Sequence, residues 1–219
     1  MTALFFYLSR NRHCYDKLRE EIRTTFGAGE EIRGGPQLSG CRYLHACINE
    51  TIRISPPIGG TLWRQLAADQ QDEKPFVVDG HVIPPGTHVG VNTYSMHHSE
   101  EYFPEPFEFK PERWLSTAAP STGRGGDVAP LLTHKAFAPF SVGARGCAGK
   151  PMAYLEIGLV MAKTMWHFDF EMAPGSLGDV GSGEDGAWGG RGRSAEFQLY
   201  DIITSRHDGP YLRFTPRVG

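Results

Sequence analysis

Apolar residues recur at helical spacing through the first part of the chain. They are Leu4, Phe5, Leu8, Tyr15, Leu18 and Ile22. Residues three, four or seven positions apart share one face of an α-helix, so the pattern predicts helix over residues 2–26. We expect this helix to be broken near residues 10–12.

A second helical pattern ends at two prolines. Its apolar positions are Leu44, Cys47, Ile48 and Ile52. Ser39 has a side chain suited to an N-cap, and proline cannot continue a helix because it lacks a backbone N–H. We therefore predict a helix between Ser39 and Pro56-Pro57.

Short apolar runs separated by turn residues come next. Phe76–Val78 and His81–Ile83 flank Asp79-Gly80, a dipeptide that strongly favours a hairpin turn. Thr87–Val91 follows a Pro-Pro-Gly corner. These runs predict short β-strands.

The second half of the chain predicts one long helix and a β-containing end. We expect a helix from about residue 150 to 166, and strands near residues 197–199 and 211–214. Residues 116–135 are polar and carry glycine and proline, which predicts a loop. Residues 173–194 are rich in glycine and poor in apolar residues, which predicts a flexible insertion. The fold class predicted is mainly α with small β-sheets, an α+β arrangement.

Composition and charge argue against several classes of function. The 219 residues carry a net charge of -3, which provides no basic surface for nucleic acid. The four cysteines are scattered, without zinc-ligand spacing or a disulfide framework, which favours a reducing compartment. The apolar run near the N-terminus is too short to span a bilayer and lacks the features of a signal peptide.

The strongest candidate for chemistry is Cys147, in the loop FSVGARGCAG before the predicted long helix. A helix N-terminus favours the thiolate form of a nearby cysteine, and glycines allow the backbone and a flat ligand to approach the sulfur. Arg145 adds a permanent cation suited to a carboxylate. This combination fits a haem iron and its propionates better than a zinc site. The alternative is a buried cysteine in a glycine-rich turn.

The same ten-residue window resembles the haem-binding signature of the cytochrome P-450 family. The matching positions are Phe140, Gly143, Arg145, Cys147 and Gly149. The resemblance implies haem b as cofactor, Cys147 as the axial ligand of its iron, Phe140 near that sulfur and Arg145 on a propionate. It also implies that residues 1–219 are the C-terminal haem-binding portion of a single domain.

A second signature of that family, Glu-x-x-Arg, is similar to the ETIR segment that starts at Glu50. The i, i+3 spacing places Glu50 and Arg53 on one helical face, but residues 20–23 and 30–33 have the same spacing, so the pattern alone is weak. In the segment FKPERW, Arg113 matches the family position that completes a Glu–Arg–Arg cluster. The resemblance implies a structural clamp behind the haem.

Further residues are assigned by resemblance. Arg64 matches a position that often binds the second propionate, and a surface arginine is the alternative. The residues expected to face substrate are Ile58, Gly59, Gly60, Thr61, Tyr200 and Ile202. His97 and His98 are expected to be structural or surface residues and not metal ligands.

The implied reaction is monooxygenation, in which one oxygen atom of dioxygen enters a hydrophobic small molecule. Electrons would come from NADPH through a flavoprotein reductase. The segments HHSEEYFPEPFEFKPERWL and DGPYLRF resemble the branch that acts on benzoate-type aromatics, terpenoids and polyketides, in secondary metabolism or in hydroxylation of aromatics and xenobiotics. A full-length parent is expected on the cytosolic face of the endoplasmic reticulum membrane, held by an N-terminal anchor.

The family motif for oxygen activation, Ala/Gly-Gly-x-Asp/Glu-Thr-Thr, does not occur in this sequence. We therefore expect a C-terminal fragment with little or no activity by itself. Two alternatives stay open. One is a haem-thiolate isomerase or dehydratase that needs no external electrons, and the other is a non-catalytic truncated remnant.

Overall fold

The computed structural model describes residues 1–67, 75–115, 129–189 and 191–217. Within these ranges the regular structure is mainly helical, with small two-stranded antiparallel sheets beside the helices. The α+β class predicted from the sequence is confirmed.

The helices of the described ranges follow the sequence pattern closely. They are α1 (Thr2–Arg10), α2 (Arg12–Thr25), α3 (Pro36–Ser39), α4 (Arg42–Ile54), α5 (Thr93–His97), α6 (Ala129–Ala136) and α7 (Lys150–His167). The last agrees with the predicted long helix. The predicted loop over residues 116–135 is wrong at its end, where α6 forms, and residues 116–128 lie outside the described residues.

The expected break between the first two helices is at Asn11. Its backbone, with φ -116° and ψ 76°, is not helical. Its backbone N–H and its Nδ2 both donate to the carbonyl O of Tyr7, at 2.9 and 2.8 Å, which closes the end of α1. Two short helices therefore replace one long one, and each buries its apolar face.

The start of α4 differs from the prediction. Ser39 is the last residue of α3, and Cys41 occupies the N-cap of α4. The free amides of Tyr43 and Leu44 donate to the two carboxylate oxygens of Glu21 on α2, at 2.8 Å each. A carboxylate at the positive end of the helix dipole stabilises the helix, so a distant residue does what Ser39 was expected to do.

Within the described ranges, the strands form three antiparallel pairs. These are β1 (Arg64–Gln65) with β4 (His88–Val89), β2 (Val77–Val78) with β3 (His81–Val82), and β5 (Phe168–Met172) with β6 (Leu212–Pro216). The turn at Asp79-Gly80 has positive φ at both residues and joins β2 to β3 as predicted. The predicted strand near residues 197–199 is wrong. The N–H of Phe197 donates to the Tyr7 hydroxyl and that of Gln198 to the carbonyl O of Gly181, so neither is free for a ladder.

The glycine-rich segment contacts the first helix. Arg10 on α1 donates from Nη2 to the hydroxyl of Ser182 at 3.0 Å and to the carbonyl O of Gly178 at 2.5 Å. Residues Gly175–Asp179 form a short 3-10 helix. The flexibility of this insertion stays a prediction.

The core lies between α1, α2, α4, α7 and β5, and its large side chains come mainly from the helices. Gly158 brings α7 close to its neighbours, because a Cβ there would lie 3.7 Å from Leu38. This packing places the start of α7, and the cysteine loop before it, next to α4. Among the helices of the described ranges, none is both long and apolar enough to cross a bilayer.

Candidate functional site

The cysteine loop, defined here as residues 140–149, is a tight turn at the start of α7. The N–H of Cys147 donates to the carbonyl O of Phe140 at 2.8 Å, and the N–H of Gly146 donates to the carbonyl O of Gly143 at 3.0 Å. The side chain of Cys147 is exposed. The alternative of a buried packing cysteine is therefore wrong, and the thiol is available to a ligand.

Two glycines of the loop have different roles. Gly143 has φ +68°, a left-handed conformation that other residues rarely adopt, and a Cβ there would meet nothing within 4 Å. Its role is conformational. A Cβ on Gly149 would lie 3.7 Å from the Cys147 sulfur. Gly149 therefore lies directly beside the sulfur, at ordinary contact distance.

The two arginines predicted to bind propionates are both exposed. Arg145 lies on the 3-10 turn of the cysteine loop, and Arg64 lies on β1 and donates to the carbonyl O of Trp63 at 2.9 Å. Within the described ranges neither guanidinium has an acidic partner. Both can therefore bind an anionic group from outside the chain.

Phe140 joins the cysteine loop to α7. It is half-buried, and its ring centroid lies 5.7 Å from that of Tyr154. Its carbonyl O holds the Cys147 amide. The structure thus brings together Phe140, Gly143, Arg145, Cys147 and Gly149 in one loop, and leaves Arg64 on a separate strand.

Glu50 is the centre of an ion cluster, which we call the clamp: Glu50, Arg53 and the partly buried Arg113. Glu50 and Arg53 are 0% exposed. The Nε and Nη2 atoms of Arg53 donate to the two carboxylate oxygens at 2.9 Å each, and the Nε of Arg113 donates to Oε1 at 3.0 Å. These hydrogen bonds offset the desolvation cost of burying the carboxylate.

The arginines of the clamp also bind backbone carbonyls of the segment 97–108. Arg53 Nη1 donates to the carbonyl O atoms of His97 and Pro106, at 2.8 Å each. Arg113 Nη1 donates to the carbonyl O of Pro104 at 3.1 Å. The clamp therefore fixes an irregular, proline-rich segment against α4.

Sequence reasoning missed one clamp donor, Trp114. Its Nε1 donates to Glu50 Oε2 at 2.9 Å, and the N–H of Lys110 donates to Oε1 at 3.0 Å. The available signal was the position of Trp114 directly after Arg113, since a buried indole needs an acceptor.

The weak patterns at residues 20–23 and 30–33 do not repeat this arrangement. Arg23 donates to Asp169 Oδ1 at 3.1 Å and to the carbonyl O of Met165 at 3.0 Å, both at the end of α7 and start of β5. Arg33 is exposed. Context therefore separates Glu50 and Arg53 from the other pairs.

His97 and His98 lie next to the clamp, where Arg53 binds the carbonyl O of His97. Burial, with the Arg53 charge as a second cause, lowers the pKa of His97 to about 4, and burial lowers the pKa of His98 to about 4. The His97 ring stacks on Phe137 at 5.5 Å, and its Nε2 accepts from the N–H of Ala138 at 3.3 Å. These contacts are structural, as expected. Across the described part of the chain, no group of three or more His, Cys, Asp or Glu side chains is placed to hold a metal ion.

The predicted substrate-facing residues fall into two groups. Gly59 and Gly60 line a cavity of about 330 Å³ beside α5, while Ile58 and Thr61 flank it. Tyr200 and Ile202 are exposed on the loop that faces this cavity, but they do not line it. Asp201 of the same loop does line the cavity, and its carboxylate lies so close to Gly60 that a Cβ there would clash.

Comparison with known proteins identifies one family. A family model described as cytochrome P450 matches residues 1–179, which include the clamp and the cysteine loop. Cytochrome P450 monooxygenase AKT7 of Alternaria alternata is 41% identical over 98% of this chain and 40% of its own length. Cytochrome P450 monooxygenases apf7 and apf8 of Gibberella fujikuroi are 42% and 40% identical over 99% of this chain, and 38% and 55% of their own lengths.

The chain thus spans about half or less of the length of these three curated relatives. The matched region nevertheless contains each residue of the clamp and each of the five loop positions. The chain belongs to the cytochrome P450 family.

Proposed function

We propose that this chain carries the haem-binding portion of a haem-thiolate monooxygenase. The reaction would place one oxygen atom of dioxygen into a hydrophobic small molecule, in secondary metabolism or in hydroxylation of aromatics. The observation that carries this proposal is the exposed Cys147 thiol, which lies in a glycine loop at the start of α7. Arg145 is two residues away and has no acidic partner within the described ranges.

The residues present fit a haem. A flat macrocycle needs an open sulfur and a backbone that does not obstruct its approach, and Gly149, which lies beside the sulfur, would suit the second condition. Cys147 would be the axial ligand of haem b, with Arg145 and Arg64 on the propionates and Phe140 beside the sulfur. When bound, the haem would supply the dioxygen chemistry, aided by electron donation from the thiolate.

The chain's own residues would hold the haem and orient the Cys147 sulfur. The Cys147 amide, bonded to the Phe140 carbonyl, fixes where the sulfur points. The clamp would fix the segment 97–114 against α4, and so the frame on which the cysteine loop rests. We assign the clamp a structural role and no part in proton transfer, because Glu50 is fully buried and already bonded to its donors.

The substrate would meet the chain at Ile58–Thr61 and at the loop containing Tyr200 and Ile202. Ile202 is 64% exposed, which is unusual for an isoleucine and suits a surface that covers an apolar ligand. The adjoining cavity of about 330 Å³ is of the size that holds small molecules.

The electron source and location belong to the whole protein. We propose NADPH, through a flavoprotein reductase, and the cytosolic face of the endoplasmic reticulum membrane. Because the matched relatives are about twice as long as this chain or more, we expect residues 1–219 alone to have little or no monooxygenase activity. Robust reductase-dependent turnover by purified residues 1–219 would contradict this expectation.

The test of the thiolate assignment is Cys147→Ala in a haem-loaded polypeptide that contains residues 1–219. We expect the thiolate-type spectrum of the reduced, carbon-monoxide-bound haem to be lost. Cys41→Ala is the matched control, since Cys41 is buried and distant along the chain, and it should keep that spectrum. A thiolate-type spectrum that survives in Cys147→Ala would refute the proposal.

A further inference from the structure

A hydrogen bond joins the helix of the clamp to the helix of the cysteine loop. The hydroxyl of Tyr154, in the second turn of α7, donates to Asn49 Oδ1 on α4 at 2.6 Å. Asn49 is the direct neighbour of Glu50. This bond therefore ties α7 to α4 at the level of the clamp.

Tyr154 also contacts the cysteine loop. Its ring packs against the ring of Phe140, with centroids 5.7 Å apart and planes tilted by 40°. The Phe140 carbonyl accepts the N–H of Cys147 at 2.8 Å. A short series of contacts thus runs from Asn49 through Tyr154 and Phe140 to the residue that carries the sulfur.

The Tyr154 hydroxyl is a stable neutral donor. Burial raises the pKa of Tyr154 to about 12, so the hydroxyl keeps its proton across the physiological range. The Asn49 amide is half-buried, and its oxygen faces this hydroxyl. A buried hydroxyl that lost this acceptor would have to move to find another.

We propose that Tyr154 is a positioning residue for the Cys147 thiolate. Its hydrogen bond to Asn49 fixes the Tyr154 ring, the ring fixes Phe140, and the Phe140 carbonyl fixes the amide of Cys147. The role rests on the proposed haem-thiolate function. Neither Tyr154 nor Asn49 touches the sulfur, so the effect would pass through Phe140.

The test is Tyr154→Phe in the haem-loaded polypeptide, which removes the hydroxyl and keeps the ring. We would measure the ratio of thiol-type to thiolate-type species in the reduced, carbon-monoxide-bound spectrum, and the reduction potential of the haem. We expect the thiol-type fraction to rise by about two- to tenfold, the equilibrium equivalent of one neutral hydrogen bond. Asn49→Ala should give the same shift, and the double variant should add little to either.

Tyr15→Phe is the matched control. The Tyr15 hydroxyl donates to Asp169 Oδ1 at 2.9 Å and accepts from the N–H of Phe170 at 3.1 Å, between α2 and β5. Its loss therefore removes tyrosine hydrogen bonds between two elements without touching the cysteine loop. It should leave the spectrum unchanged. An equal spectral change in Tyr15→Phe, or a wild-type ratio in Tyr154→Phe, would overturn the positioning role while leaving the thiolate assignment intact. A wild-type protein without any thiolate-type spectrum would overturn the proposed function and this role together.

Discussion

The clamp and the cysteine loop differ in how far their charged and reactive side chains are buried. Glu50 and Arg53 are 0% exposed, and the carboxylate is bonded to donors from α4 and from the segment 110–114. The cysteine loop leaves Cys147 and Arg145 exposed, and even its Val142 is 72% exposed. In the clamp, the charged groups bind one another. In the cysteine loop, the reactive and charged side chains are accessible to a ligand.

This difference separates residues that maintain the fold from residues that bind. A buried ion pair costs desolvation that its partners must offset, so removing one partner damages the protein directly. An exposed cysteine or arginine contributes little to folding, so its removal should affect ligand binding instead. Substitutions in the two regions should therefore differ in what they change as well as in size.

The largest effect is expected from Glu50→Ala. It leaves Arg53 buried without a counter-charge, which should cost about 3–5 kcal/mol of unfolding free energy and prevent haem incorporation. Denaturant unfolding and haem content measure the two effects. The matched control is Glu171→Ala, which removes an exposed ion pair with Arg213 and should cost at most about 1 kcal/mol. Full haem content in Glu50→Ala would show that the clamp assignment is wrong.

The next largest effect is expected from acid, which should lower the stability of the folded protein around the clamp. The pKa values of His97 and His98 are lowered to about 4 in the folded protein from an ordinary 6.5, so the unfolded chain binds more protons between those values. Stability is complete above pH 6.5 and falls as the pH is lowered towards about 4, because both histidines bind protons more readily in the unfolded chain. Unfolding midpoints across this window test the slope.

His97→Gln should make that slope shallower, because one of the two titrating groups is removed. An unchanged slope would assign the acid sensitivity to other groups.

A smaller effect is expected at the start of α4. Glu21→Gln should lower the unfolding free energy by about 1–2 kcal/mol, because the free amides of Tyr43 and Leu44 lose a charged acceptor. Thermal unfolding measures the loss. Glu20→Gln, at the exposed neighbouring position, is the control and should change stability by less than about 0.5 kcal/mol. Equal effects of the two substitutions would contradict the capping role.

The smallest effect on stability is expected from Arg145→Ala. The side chain is exposed, so the unfolding free energy should change by less than about 0.5 kcal/mol. Haem retention should weaken nevertheless, which dialysis against a haem acceptor protein would measure. If Arg145→Ala lost stability but retained haem as the wild type does, Arg145 would support the fold and not haem binding.

The sequence predicted what local patterns determine. The spacing of glycines around Cys147, the i, i+3 pair at Glu50 and the apolar periodicity of α7 each depend on neighbours within a few residues. The structure places all of these as expected. The break at Asn11 belongs to the same class.

The remaining features depend on residues that are distant in sequence. Glu21 caps a helix that begins at residue 42, and β5 pairs with β6 across more than 40 residues. Nothing local marks either partnership. The Tyr154–Asn49 bond spans 105 positions and was invisible for the same reason.

The donors around Glu50 have a consequence for the order of folding. They come from α4 and from the segment 110–114, about 60 positions away, and the carboxylate sheds its water only when they arrive. A molecule with α4 packed but this segment undocked would hold a bare anion in an apolar interior, which is a high-energy state. The segment 110–114 and α4 should therefore pack together in one cooperative step. We expect this step to precede haem binding.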